Sequence, residues 1–107
     1  MTDSEFEALA EAAIAALERA LEASALDADF ETKGAGVLEI EFGDGSKMVI
    51  NRHTAAREIW VAARSGGFHF RHDGQAWRDS RDGSELFAAL SSLVSEQGKI
   101  PVVLAPG

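Results

Sequence analysis

The 107-residue chain contains no cysteine. This absence excludes a disulfide framework, a thiolate metal site and a cysteine nucleophile, and it is typical of a reducing compartment. No apolar run approaches the roughly 20 residues that a membrane helix needs. The N-terminus also lacks the positive segment of a signal peptide, since Asp3 and Glu5 stand there. We therefore expect a cytoplasmic protein with no membrane partner.

Basic residues are almost missing from the first 31 positions, which hold nine acids against the single base Arg19. Residues 32–107 hold nine acids and nine bases, so the net charge of −8 comes entirely from the N-terminal third. The bases are scattered rather than clustered, and we expect no nucleic-acid binding. A one-sided acidic surface indicates a positive ligand, either a metal cation or a basic partner protein.

Hydrophobic periodicity predicts two helices and a sheet. The pattern at 4–24 is typical of a helix, for which we expect Ser4 as the N-cap and Glu7 as its partner in a capping box. Residues 28–80 alternate apolar and polar side chains between short glycine-containing turns, the pattern of about six antiparallel strands. Residues 84–96 return to helical spacing, and 101–104 are expected to form an extended tail against the core.

The order of these elements predicts one domain over residues 1–107. Each helix has one apolar face, so both must cover the same side of the sheet. We predict an α+β two-layer sandwich, with the N- and C-terminal helices packed on one face of an antiparallel sheet of about six strands. The other sheet face is left to solvent or to a partner. The apolar face of the first helix is predicted to consist of Phe6, Leu9, Ala13, Leu17, Ala20 and Leu21.

Eight carboxylates form a candidate metal or docking surface. Those of the first helix fall within roughly a 100° arc beside its apolar face, and the next three alternate along a strand. We call this set the acidic ridge: Asp3, Glu7, Glu11, Glu18, Glu22, Asp27, Asp29 and Glu31. Oxygen-only ligands suit hard cations with modest affinity. The same pattern is also that of a solvated helix face that aids solubility.

The remaining candidates for chemistry are few. No ligand pair is formed in sequence by the three histidines, His53, His69 and His72, which we interpret as surface or turn residues. Trp60 either faces the core or lies on the open sheet face near Asn51, while Trp77 is interpreted as core. No nucleophile–base set, no carboxylate pair in an apolar context and no phosphate loop is present, so we predict no catalytic residue.

Short segments occur in a recognisable order and spacing: DSEF at 3–6, GVLEIEF at 36–42, GSKMVINR at 45–52, IWVA at 59–62, GGFHF at 66–70 and the segment around Trp77. Together they resemble the frataxin family, and within it the bacterial CyaY type, over about residues 3–104. The resemblance implies the two-helix, one-sheet fold that the periodicity predicts. It also implies an iron chaperone or regulator that acts in iron–sulfur cluster assembly and is not an enzyme.

Site residues follow from the resemblance by position. It implies that Fe²⁺ or Fe³⁺ binds weakly along the acidic ridge, where other divalent or trivalent cations can substitute, with Asp3 and Glu7 extending the ridge. It implies binding to the cysteine desulfurase and to the iron–sulfur scaffold protein by a monomer. The family's exposed sheet tryptophan corresponds to Trp60, which favours the open-face position. The predicted partner-binding residues are Trp60, Asn51, Glu18 and Glu22.

The chain departs from the family pattern where it is less acidic. Arg19, Ala23 and Ala25 stand where acids are common in relatives, and the loop at 33–35 is one residue shorter. Fewer carboxylates predict weaker or fewer iron sites, whereas docking on a basic partner depends on the summed field. Three functions remain open: an iron-binding regulator or donor, an interaction module whose metal binding is incidental, and a ferroxidase.

Overall fold

The computed structural model describes residues 1–34 and 36–106; Ala35, in the loop expected to be shorter, lies outside the described residues, as does Gly107. The elements are α1 (Asp3–Ala23), β1 (Ala28–Thr32), β2 (Val37–Phe42), β3 (Lys47–His53), a 3₁₀ turn (Thr54–Ala56), β4 (Glu58–Ala63), β5 (Gly66–His72), β6 (Trp77–Asp79) and α2 (Leu86–Gly98). The six strands found there form one antiparallel sheet in chain order. The predicted architecture of two helices on a six-stranded antiparallel sheet is confirmed.

The first helix begins earlier than its periodicity suggests. Thr2 is the N-cap: the Glu5 amide donates to Thr2 Oγ1 at 3.1 Å, and the Thr2 amide donates to Glu5 Oε1 at 2.9 Å. The predicted box of Ser4 and Glu7 is therefore wrong. Two overlapping matches to the same spacing occur, and the helix begins at the earlier one because this adds residues to its hydrogen-bonded length.

The core lies between the helices and one sheet face. The side chains of α1 that it buries are Phe6, Ala10, Ile14, Leu17 and Leu21. Leu9, predicted to be buried, is 36% exposed, because the buried stripe passes through the neighbouring Ala10 instead. Trp77 is buried as predicted, and its ring meets that of Phe6 edge-on with centroids 5.9 Å apart.

The strand register sorts side chains between the two sheet faces. Ile59 and Val61 are fully buried beneath the helices, and Trp60 between them is half-buried on the opposite, open face. Asn51 is the cross-strand partner of Trp60 and shares that face. The open-face position predicted for Trp60 beside Asn51 is confirmed.

The C-terminal segment completes the core. Glu85 caps α2 by accepting hydrogen bonds from the amides of Phe87 and Ala88 at 2.8 and 3.2 Å. Val102 and Leu104 of the extended tail are buried, as predicted. Within the described residues, neither helix has the length and apolar character needed to cross a membrane.

Candidate functional site: an acidic ridge and an open sheet face

The N-terminal part of the acidic ridge is paired with the protein's own bases. Arg57 Nη2 lies 3.1 Å from Asp3 Oδ1, and Arg52 Nη1 lies 2.7 Å from Glu11 Oε1. Arg52 also approaches Glu7 at 4.0 Å, and its side chain is only 12% exposed between the helix and the sheet. Three of the eight predicted metal ligands are thus already paired with cations.

The C-terminal part of the ridge carries uncompensated charge. In the described ranges, no ion pair is formed by its five carboxylates, which we call the free ridge: Glu18, Glu22, Asp27, Asp29 and Glu31. Glu18 is half-buried and the other four are exposed. A positive ligand would meet these residues without first breaking an internal salt bridge.

The ridge residues do not converge on one point. Glu11 and Glu18 line a cleft of about 150 Å³ at the edge between α1 and β2. Asp27 and Asp29 line a second cleft of about 240 Å³, together with Glu41. Glu22 and Glu31 lie outside both clefts.

Glu41 is a candidate ligand that the sequence analysis missed. It lies on β2 directly across from Asp29 on β1, so both carboxylates are on the same sheet face. Glu39, two positions earlier, lies within 3.3 Å of both Lys33 and Lys47, and these ammonium groups hold the pKa of Glu39 below its ordinary value. The alternation of Glu39 and Glu41 opposite the acids of β1 was the available signal, but it needs the hairpin register to be read.

The carboxylate oxygens of the ridge are suitable ligands for a hard cation, but they do not form a complete coordination sphere. Across residues 1–34 and 36–106, no group of three or more histidine, cysteine, aspartate or glutamate side chains is arranged to hold a metal ion. Carboxylates spread over two shallow clefts fit iron only as open ligands, with water filling the remaining positions. The geometry therefore offers open carboxylate ligands in two clefts.

The open sheet face carries the second candidate surface. Trp60 Nε1 donates to Glu58 Oε1 at 2.8 Å, and Arg71 Nε donates to Glu58 Oε2 at 2.9 Å. Burial raises the pKa of Glu58, but the bonds from Trp60 and Arg71 outweigh burial, so that pKa lies below its ordinary value. This face lies on the other side of the sheet from α1, which carries Glu18 and Glu22, but it also holds Asp29, Glu31 and Glu41.

The fold and these two surfaces define a class: small α+β sandwiches with an acidic first helix and an uncovered sheet face. The family model described as "Frataxin-like domain" matches residues 1–100. The chain belongs to this family.

Curated relatives and a solved structure agree with this assignment. A protein of Dechloromonas aromatica (strain RCB) named "Iron-sulfur cluster assembly protein CyaY" is 60% identical over 104 residues, covering 97% of this chain and 99% of its own length. A protein of the same name from Janthinobacterium sp. (strain Marseille) is 55% identical over 108 residues, covering 97% of this chain and 96% of its own. The solved structure of frataxin from Psychromonas ingrahamii superimposes with a TM-score of 0.89 at 31% identity, over 98% of this chain and 99% of that one.

Proposed function

We propose that this chain takes part in iron–sulfur cluster assembly, as an iron-binding regulator or iron donor. The proposal is supported by family membership and by the name that near-full-length relatives at 55–60% identity carry. The observation that carries the mechanism is the free ridge, whose five carboxylates have no ion-pair partner in the described residues and supply most of the net charge of −8. The free ridge can attract iron, a basic protein surface, or both.

Iron is the cargo in this proposal. Fe²⁺ or Fe³⁺ binds weakly at the free ridge, with water completing its coordination, and other divalent or trivalent cations compete. The cleft lined by Asp27, Asp29 and Glu41 supplies one group of oxygens, and the cleft beside Glu18 supplies another. Asp3, Glu7 and Glu11 contribute less, because a cation there must displace Arg57 or Arg52.

Calorimetric titration with Fe²⁺ tests the role of the free ridge. The variant Glu18→Gln/Glu22→Gln/Asp29→Asn is expected to lose most of the binding heat. A matched variant, Asp73→Asn/Asp82→Asn/Glu96→Gln, removes the same number of charges away from the ridge and is expected to bind like the parent chain. Identical titrations for the ridge variant and the parent would remove the ridge from the mechanism.

Two proteins of the assembly machinery are the proposed partners. A basic patch on the cysteine desulfurase docks on Glu18 and Glu22, and the scaffold protein contacts Trp60 and Asn51. The supporting geometry is that Glu18 and Glu22 are on α1, whereas Trp60 and Asn51 are on the sheet face away from it, so different elements present the two pairs.

The second candidate function is an interaction module whose iron binding is incidental. The lack of a three-ligand group in the described part of the chain favours it. Cluster reconstitution with desulfurase and scaffold, with and without this protein at several iron levels, separates the two. An effect that scales with bound iron supports the iron regulator or donor, and an effect of constant size supports the interaction module.

The chain is not an enzyme in this proposal. A ferroxidase would need Fe²⁺ turnover at a discrete site, and oxygen consumption measured under excess Fe²⁺ tests it. Consumption that stays at the rate of Fe²⁺ in buffer supports the proposal, whereas catalytic turnover abolished by the ridge variant would establish a ferroxidase.

The remaining organisation is proposed from the fold. Residues 1–107 form a single domain, since the C-terminal tail packs in the same core as α1 and the sheet. The protein is a monomer located in the cytoplasm. Light scattering at increasing concentration, with and without iron, tests the monomer.

A further inference from the structure

Trp60 stands between two imidazole rings on the open sheet face. Its ring centroid lies 3.8 Å from that of His53 and 4.6 Å from that of His69, with interplanar angles of 12° and 13°. Because β3 and β5 flank β4, one imidazole covers each face of the indole. Both π-faces of Trp60 are thus already occupied within the molecule.

Hydrogen bonds orient Trp60 and His53, and a longer polar contact reaches the ring of His69. The indole N–H of Trp60 is satisfied by Glu58, a residue that is only 8% exposed. His53 Nδ1 accepts a hydrogen bond from the Ala56 amide at 3.3 Å, and His69 Nδ1 lies 3.7 Å from Glu58 Oε1. The indole therefore has neither a free face nor a free donor, and its accessible part is its outer edge.

We propose that His53 and His69 are positioning residues that hold Trp60 edge-on at the open sheet face. This inference rests on the proposed function, in which the scaffold protein contacts Trp60. A partner cannot stack on the indole or accept its N–H, so it must close over the ring edges. Aromatic edges carry partial positive charge, and the exposed guanidinium of Arg71 adjoins them, so the partner surface that fits presents oxygen acceptors.

His53 also caps the 3₁₀ turn, so its two roles must be separated by substitution. His53→Asn keeps a side-chain acceptor for the Ala56 amide but removes the ring. His53→Phe keeps a flat ring beside Trp60 but removes the acceptor. Paired with His69→Ala and His69→Phe respectively, these variants form a ring-less and a ring-keeping double mutant.

Quenching of Trp60 fluorescence by acrylamide tests the positioning directly. The quenching is measured in a Trp77→Phe chain, in which Trp60 is the only tryptophan. If the Trp77→Phe chain does not fold, near-ultraviolet circular dichroism of the chain with both tryptophans is measured instead. We expect His53→Asn/His69→Ala to raise the quenching constant and to lose the Trp60 dichroism. His53→Phe/His69→Phe is expected to restore both signals. Unchanged signals in the ring-less variant would overturn the inference.

Binding to the complex of cysteine desulfurase and scaffold tests the consequence. The ring-less variant is expected to bind about fivefold more weakly, because the freed Trp60 side chain must then be immobilised on binding, and the ring-keeping variant close to the parent. Trp60→Ala is the control for the proposed function. If Trp60→Ala binds like the parent, the proposed docking role of Trp60 is wrong. If Trp60→Ala weakens binding and the ring-less variant does not, the positioning inference is wrong.

Discussion

Arg52 divides the acidic ridge into a paired and an unpaired part. Its guanidinium lies almost buried beneath α1, against Glu11, and a Cβ at Gly36 would come within 2.8 Å of the Arg52 Cβ. Helical geometry predicts which carboxylates share an arc, but not which base lies beneath them. Arg52 is 41 residues from Glu11 in the chain, so only the packing of helix on sheet reveals the pair.

Removing this base is expected to extend the metal-binding ridge. Arg52→Gln frees Glu7 and Glu11 and should strengthen Fe²⁺ binding about fivefold. The reason is that two unit charges about 4 Å apart in water interact by on the order of 1 kcal/mol. Calorimetric titration measures the change. Arg64→Gln, which frees Asp44 outside the ridge, is the charge-matched control. Equal gains in both variants would show that net charge alone, rather than the freed carboxylates, controls iron binding.

Glu58 gives the stability of the chain a specific pH dependence. Its folded pKa lies below the ordinary value of 4.5, so its ionised form stabilises the fold above about pH 4.5. This contribution is lost as the pH falls through the folded pKa, because the unfolded chain then binds the proton more readily. The free energy of unfolding in urea should therefore differ between wild type and Glu58→Gln more at pH 7 than at pH 3. A difference that is constant with pH would contradict this account.

At the scale of elements, the sequence predicts the periodic helices and strands but misses the exact helix start, single buried positions and the contacts between strands. The alternation around Leu38, Ile40 and Phe42 marks β2 correctly because one face of the sheet is buried. The start of α1 was predicted wrongly because two capping-box matches overlap in the sequence. The burial of Leu9 was predicted wrongly because helical periodicity is equally consistent with a buried stripe through Ala10. The stack on Trp60 depends on which residues the turns bring beside it: periodicity gives the sheet face of each side chain, and the turns give its cross-strand neighbours.

The cap of α1 can be assigned by mutation. Thr2→Ala removes the hydroxyl that accepts from the Glu5 amide and should lower the free energy of unfolding by about 1 kcal/mol. Ser4→Ala, in the first turn of the helix, should leave stability nearly unchanged. Urea denaturation followed by circular dichroism compares the two. The reverse order would reinstate Ser4 as the N-cap.

At the scale of the molecule, the free ridge runs from α1 past the edge strand β1 onto the open sheet face, where Asp29 and Glu31 share a face with Asn51 and Trp60. The free ridge acts through charge, since its carboxylates lack internal partners in the described residues. Around Trp60 the carboxylate of Glu58 is already bonded to Arg71 and Trp60, so the ring edges and the Arg71 guanidinium are what this part of the face offers to a partner.

The unpaired charge of the free ridge predicts how binding responds to salt. The Debye length falls from about 10 Å at 0.1 M to about 3 Å at 1 M ionic strength, so contacts through exposed carboxylates weaken as salt rises. Binding of the desulfurase alone to this protein should therefore weaken about tenfold over that range, mostly through slower association. Glu18→Gln/Glu22→Gln should bind more weakly at 0.1 M and show a shallower salt dependence.

The matched control is Glu7→Gln/Glu11→Gln, which removes the same charge from the part of the ridge that is paired with Arg52. Its salt dependence should stay closer to that of the wild type, because Glu7 and Glu11 are about two or more helical turns from Glu18, roughly a Debye length or more at 0.1 M salt. Surface plasmon resonance at several ionic strengths measures both rate constants for each variant. If desulfurase binding does not change with ionic strength, the free ridge is not the docking surface. The same conclusion follows if the two double variants weaken binding equally.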